Sequence, residues 1–273
     1  MATITGDGGN NVLPGTAESD TINGLAGSDT LRGLVGNDTL NGGQQNDTLS
    51  GGLGSDTLDG QTGTDTADYS DATNGVNVNL QTGLANDGIG GTDKLIAVEN
   101  ILGGSARDQL VGNGLGNSLS GNNGDDILSG LQGNDSLFGG LGRDEMNGGS
   151  NNDFLFGFTG KDTMTGGDGA DQFFYGTDAA SETGKGTSAD IIKDFLSGVD
   201  KINVVAVDAN TALTGNQAFT FIGVGSFNDE GQIRVQSNST GTLIQFNTTG
   251  NTGSEFEIQL QGAVPVALTD FFA

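Results

Sequence analysis

The chain has no cysteine, no histidine and no tryptophan. Without cysteine there can be neither disulfides nor thiolate metal sites. Without histidine, Ser-His-Asp triads, HExxH zinc sites and imidazole bases are excluded, and no GxSxG nucleophile elbow is present. Any catalysis would rest on carboxylates, Tyr, Ser, Thr, Lys or Arg. Basic residues are also scarce: nine Lys and Arg stand against 35 Asp and Glu, giving a net charge of −26. Such a balance repels nucleic acid and anionic membrane surfaces and attracts cations. No run approaches the ~18 apolar residues of a membrane span. The opening stretch MATITGDGGNN has neither a basic segment nor an apolar one, so the expectation is no cleaved signal and export, if any, by another route. Two prolines and no Gly-X-Y period exclude collagen.

Glycine is what the chain has instead. There are 51 in 273 residues, against a usual ~7 %, while hydrophobic residues reach only 33 %. A thick apolar core is not available, so the composition fits either disorder or a fold that a metal completes. Phase decides between them. Written in nines from Gly6, the chain reads GDGGNNVLP, GTAESDTIN, GLAGSDTLR, GLVGNDTLN, GGQQNDTLS, GGLGSDTLD and GQTGTDTAD. From Gly103 it reads GGSARDQLV, GNGLGNSLS, GNNGDDILS, GLQGNDSLF, GGLGRDEMN, GGSNNDFLF, GFTGKDTMT and GGDGADQFF. The sixth position holds Asn11, Asp20, Asp29, Asp38, Asp47, Asp56 and Asp65, then Asp108, Asn117, Asp126, Asp135, Asp144, Asp153, Asp162 and Asp171. The eighth is apolar in every block, from Leu13 to Phe173. A low-complexity linker would keep the composition but not this phase.

The blocks match the calcium-binding β-helix nonapeptide G-G-x-G-x-D-x-U-x, and the chain resembles the RTX (repeats-in-toxin, hemolysin-type calcium-binding) proteins. The resemblance implies an all-β fold: a parallel β-roll of nonapeptide repeats with a C-terminal β-rich capping domain. The residue types agree with it. Six residues of a block suit a glycine-permitted turn. The other three, such as Thr57-Leu58-Asp59, suit a short strand with its middle side chain inward. Two blocks close an 18-residue coil, so turns i and i+2 stack with their aspartates facing one gap. Carboxylate and backbone carbonyl oxygens are the ligands Ca²⁺ takes, six to eight of them at about 2.3–2.6 Å. The fifteen sixth-position residues are therefore the candidate metal ligands. Counting i, i+2 pairs predicts about eleven Ca²⁺, five in the first run and six in the second. Without metal, stacked carboxylates about 5 Å apart repel by roughly 1 kcal/mol at ε ≈ 80 and 3–4 at ε ≈ 20. The repeats are expected to fold only with calcium.

Four segments follow: a first block at 1–68, degenerate joining coils at 69–102, a second block at 103–175 and a C-terminal domain at 176–273. In the joining segment Val76, Val78 and Leu80 alternate as in a strand. Tyr69 and Ile96 suit a wider coil, and Asp87 and Asp93 are expected to be solvated loop acids, the alternative being that they add an ion. Beyond Gly176, period-2 patterns at 191–195, 202–207, 219–222, 233–235, 243–246 and 256–260 predict antiparallel strands capping the stack. The stretches ADIIKDFLSGVDKI (189–202), QAFTFIG (217–223), GQIRV (231–235), FEIQLQG (256–262) and LTDFFA (268–273) resemble the C-terminal domain that follows RTX repeats in serralysin-type proteins. The loop 246–253 carries no Asp and is assigned no ion. The terminal Asp270-Phe271-Phe272-Ala273 resembles an uncleaved type I secretion signal, the alternative being a last edge strand. Asp125/Asp126 and Glu255/Glu257 are not expected to be acid/base pairs.

These features point to a secreted, non-enzymatic calcium-binding protein, exported through a type I ABC apparatus and folded by extracellular Ca²⁺. The alternatives are a non-catalytic module of an exoenzyme (protease, lipase or alginate epimerase) and a Ca²⁺-dependent adhesin holding acidic polysaccharide or a cell surface. A third is a pore-former, implied by likeness to small stand-alone RTX proteins of the rhizobial nodulation type. Repeats beginning at residue 6 leave no catalytic domain within this sequence, and no amphipathic segment supports a pore.

Overall fold

The computed structural model describes residues 1–176, 184–210, 217–249 and 253–272. Among these residues there is no α-helix, and the fold is a parallel β-solenoid of the β-roll type followed by antiparallel strands. Two compact units divide the chain, residues 1–132 and 133–273.

In the first unit, alternate nonapeptides feed two parallel sheets. Strands Thr3–Thr5, Thr21–Ala26, Thr39–Gln44 and Thr57–Thr62 form one. Strands Val12–Pro14, Thr30–Val35, Thr48–Leu53 and Thr66–Asp68 form the other. The register advances by one coil per step, with Ile22 opposite Leu40, Leu40 opposite Leu58 and Leu31 opposite Leu49. These eighth-position side chains are fully buried. Each adds one aliphatic layer to a narrow core, which is all that a 33 % hydrophobic chain can supply.

The strands are longer than the three residues the repeat suggested. Thr57–Thr62 runs past Gly60, where the ladder skips one residue: Asn41 pairs with Asp59, then Gly43 with Gln61. The second position of the block takes positive φ (Leu25 83°, Leu34 77°, Gln61 69°), which bends the chain and lets the strand resume. The tight turn is left to positions four to six.

The joining segment continues the stack by a detour. Thr92–Ile96 pairs parallel to Thr57–Thr62, and Asn100–Leu102 lies between Thr66–Asp68 and Ser118–Asn123. Leu84–Asn86 pairs antiparallel to both Thr92–Ile96 and Asn77–Asn79, and Asn77–Asn79 then pairs parallel to Gln109–Val111. Tyr69, Val76 and Val78 are buried. Leu95, rather than the half-buried Ile96, fills the coil. Asp87 and Asp93 are each 1 % exposed. The expectation of solvated loop acids is therefore wrong, because the detour folds both carboxylates inward.

In the second unit, Glu145–Ser150 and Thr163–Asp168 pair in parallel, as do Ser136–Gly142, Phe154–Gly160 and Gln172–Phe174. Two of the strands expected to be antiparallel instead prolong the coils: Asp190–Ile192 pairs parallel to Thr163–Asp168, and Lys201–Asn203 parallel to Gln172–Phe174. Antiparallel pairing begins with Phe256–Gln261, Gly241–Asn247 and Gln232–Asn238. Their core is of the ordinary kind, with Ile233, Ile244, Phe246, Ile258 and Leu260 fully buried and Phe246 stacked on Phe256 at 4.1 Å. Phe271–Phe272 is a last edge strand on Lys201–Asn203. Ala273, and residues 250–252 of the Asp-free loop, lie outside the described residues.

Candidate metal centre

The 18-residue period brings each sixth-position carboxylate over the backbone of the coil before it. In the first unit the Asn11 N–H donates to Asp29 Oδ1 (2.7 Å), Asp20 to Asp38 (2.6 Å), Asp29 to Asp47 (2.8 Å), Asp38 to Asp56 (2.7 Å), Asp47 to Asp65 (2.7 Å) and Asp108 to Asp126 (2.7 Å). In the second, Asp135 donates to Asp153 (2.8 Å), Asp144 to Asp162 (2.9 Å) and Asp153 to Asp171 (2.9 Å). All thirteen sixth-position aspartates are buried, none more than 3 % exposed. This ladder uses Oδ1 only.

The second oxygen is the unusual one. Oδ2 of Asp29, Asp38, Asp47, Asp56, Asp153 and Asp171 is buried with no hydrogen-bond partner. An ionised oxygen left so costs more than almost any other buried group. Each lies against the first glycine of its own block. A Cβ built on Gly24 would overlap both Asp29 Oδ2 and the carbonyl oxygen of Gly42, and one on Gly33 would overlap Asp38 Oδ2 and the Gly51 carbonyl. At Gly42 the same position meets Asp47 Oδ2 and lies 2.9 Å from the Gly60 carbonyl. Carboxylate and carbonyl oxygens thus converge on a space that only glycine leaves open. Among the described residues no three acidic side chains gather at one point, so a cation held here takes most of its oxygens from the main chain. A hard cation fits that donor set.

Burial pushes several ladder carboxyls up. Asp38 and Asp47 lie above the ordinary value, Asp56, Asp65 and Asp171 rise to about 6, and Asp153 to about 7; neighbouring acids add to the effect. Asp20 behaves oppositely. Its Oδ2 accepts from the Thr16 hydroxyl and N–H, and with the Ala2 N–H on Oδ1 these bonds hold it below the ordinary range. Asp108 likewise uses both oxygens, on Val76 and Gly104 N–H. The two asparagines differ again. Asn11 accepts from Asp7 N–H and donates Nδ2 to Asp7 Oδ1, while Asn117 accepts from Asn113 N–H and donates Nδ2 to the Glu99 carbonyl.

Four ladder members escaped the nonapeptide phase. Asp93 accepts from Asp56 N–H (2.9 Å), Glu99 from Asp65 (2.9 Å), Asp190 from Asp162 (2.8 Å) and Asp200 from Asp171 (3.1 Å). The signal was present as the triplet acid-x-apolar in Asp93-Lys94-Leu95, Glu99-Asn100-Ile101, Asp190-Ile191-Ile192 and Asp200-Lys201-Ile202. The carboxylate pairs considered for acid/base chemistry come apart. Asp125 is exposed while Asp126 is buried. Glu257 accepts from Gln245, Ser254 and Gly186 N–H. Burial opposes its ionisation, but those bonds outweigh burial and hold it below the ordinary value.

The model of the RTX calcium-binding nonapeptide repeat matches residues 5–40, 14–49 and 32–67. That of the peptidase M10 serralysin C terminal matches residues 56–273. The chain belongs to the serralysin C-terminal family. Its RTX repeats bind Ca²⁺, and the matched region is the non-catalytic part of the serralysin-type proteins. No curated protein matches the chain. Among solved structures it is similar to the AlgE6R3 subunit from the Azotobacter vinelandii mannuronan C5-epimerase, at 25 % identity over 61 % of this chain and 78 % of that one, with a TM-score of 0.38. For a serralysin C-terminal chain, the ladder and its orphaned oxygens are the candidate calcium centre.

Proposed function

We propose that this chain is a secreted, non-enzymatic RTX protein whose sixth-position residues hold about eleven Ca²⁺ and whose folding is switched on by extracellular calcium. The observation that carries the reading is the row of buried Oδ2 atoms without partners, three of which, on Asp29, Asp38 and Asp47, face a backbone carbonyl across a glycine-sized space. Bound calcium would supply the positive charge that these oxygens lack. Eleven ions would take a net charge of −26 to −4. Weak sites of the extracellular class, Kd ~10⁻⁴–10⁻³ M, stay empty at cytosolic calcium, so the chain reaches its type I exporter unfolded and folds outside.

A calcium titration from a metal-free start, followed by far-UV circular dichroism and hydrodynamic radius, tests this. A cooperative gain of β-signal with compaction, not reproduced by Mg²⁺, is expected. A chain already compact and β-rich without metal would refute folding by calcium. A second reading, a tail serving an exoenzyme, draws support from the match to a C-terminal region of peptidases. It predicts that fusion to such a catalytic domain raises its active yield in calcium and not in chelator.

A further inference from the structure

The detour in the first unit holds an acid that the repeat does not explain. Asp87 stands outside the ladder, at 1 % exposure. Its Oδ1 accepts three consecutive N–H groups, from Ile89 (3.0 Å), Gly90 (2.9 Å) and Gly91 (2.8 Å). Its Oδ2 is buried with no partner. That oxygen is aimed at the coil below. A Cβ built on Gly91 would lie 2.9 Å from Asp87 Oδ2 and would overlap the Gly54 carbonyl oxygen. The Gly54 carbonyl oxygen therefore sits where any other side chain would put its Cβ, and the free carboxylate oxygen of Asp87 lies beside it. Asp93, two residues beyond Gly91, is also buried. It accepts Asp56 N–H on Oδ1 and the Tyr69 hydroxyl on Oδ2 (3.2 Å). No ion pair among the described residues involves either acid.

We infer that Asp87, with the Gly54 carbonyl and beside Asp93, forms a cation site of its own, selective for a hard divalent ion such as Ca²⁺, outside the nonapeptide count. The inference rests on the calcium reading above and adds to it an ion that fixes the irregular coil. Asp87 is a buried acid near two others, Asp56 and Asp93, with one oxygen left without a partner. Asp93 is tied to Asp56 through the Asp56 N–H, so three carboxylates come near one another in this part of the coil. A cation removes that conflict, and the three N–H groups on Oδ1 orient the free oxygen towards it.

The full chain allows a direct test, because it has two tyrosines and no tryptophan. In a Tyr175→Phe parent, Tyr69 alone can sensitise Tb³⁺ bound at calcium sites, and native mass spectrometry counts bound Ca²⁺. Asp87→Asn keeps the Oδ1 acceptor for the three N–H groups and turns the free oxygen into a donor. The expected result is one Ca²⁺ fewer than the parent, loss of most Tyr69-sensitised emission and an unchanged calcium-loaded β-signal. Should that variant fail to fold, Asp87→Ser, whose hydroxyl still caps the loop, gives the same comparison. A parent that binds calcium while the variant keeps the full count and emission overturns this site alone and leaves Asp87 a loop cap. A parent that takes up no calcium overturns the calcium reading as well.

Discussion

Removing metal at neutral pH and then acidifying should unfold this protein and partly refold it. In the metal-free fold, five ladder carboxyls lie far above the ordinary 3.8: Asp56, Asp65 and Asp171 at about 6, Asp93 and Asp153 at about 7. Ionising a carboxyl raised to about 6 costs the fold about 3 kcal/mol, and one raised to about 7 about 4. Taken over five groups, a cost of this order at pH 7.5 rivals the ~5–15 kcal/mol that holds a typical domain together. The folded state binds the extra protons between about pH 4 and 7, so stability falls as pH rises. The contribution is fully present below about 4 and is lost as pH climbs through 6 to 7. Protein dialysed free of metal should therefore show a disordered far-UV spectrum and an expanded radius at pH 7.5, and recover β-signal and compactness near pH 4.5. With saturating calcium the dependence reverses, since protons then compete with the ion for the same oxygens. A metal-free chain with the same β-content at both pH values would refute the argument that buried charge is what calcium neutralises.

Further consequences can be measured on the calcium midpoint or on thermal unfolding. Leu49→Ala empties one fully buried layer and should cost about 2–5 kcal/mol. Gly54→Ala places a Cβ on the Gly36 carbonyl oxygen at φ 139°, so it should destabilise by at least about 3 kcal/mol and raise the calcium midpoint several-fold. Asp38→Asn keeps the bond from Asp20 N–H but gives up the anionic oxygen, and calorimetry should show weakened uptake with the metal-free spectrum unchanged. Lys193→Ala breaks an exposed pair with Glu145 and should shift stability by less than about 1 kcal/mol.

Much of this was legible in the primary structure because the repeat is rigid in phase. A fixed Asp and a fixed apolar residue every nine places specify an 18-residue coil, and Leu31, Leu49 and Asp38 sit where that period puts them. Strand length was not legible, since nothing in Gly60-Gln61 announces that a non-glycine residue will take positive φ and let pairing resume. The detour through residues 77–96 was equally hidden. Its strands are three to five residues long, and their antiparallel partners depend on where the flanking coils already lie. Asp87 and Asp93 looked like surface acids because their neighbours are polar; only the folded path shows them turned inward. Asp190 and Asp200 were passed over because an irregular spacing masked a triplet identical in kind to those of the repeat.

The hydrogen-bond ladder also has a direction. Within the repeats the donor N–H stands eighteen places before the carboxylate that accepts it, and elsewhere in the ladder farther still, so a coil's backbone is secured by residues that follow it in the sequence. In the second unit the last two repeats, at Asp162 and Asp171, are held by Asp190 and Asp200, which lie beyond the nonapeptides. A coil that reaches water first has no clamp until its successor arrives, whereas the final coils carry theirs from the C-terminal strands. Within the second unit, then, the closing coils of the repeat depend on residues outside it, and a change at Asp190 or Asp200 is felt by a backbone almost thirty places earlier.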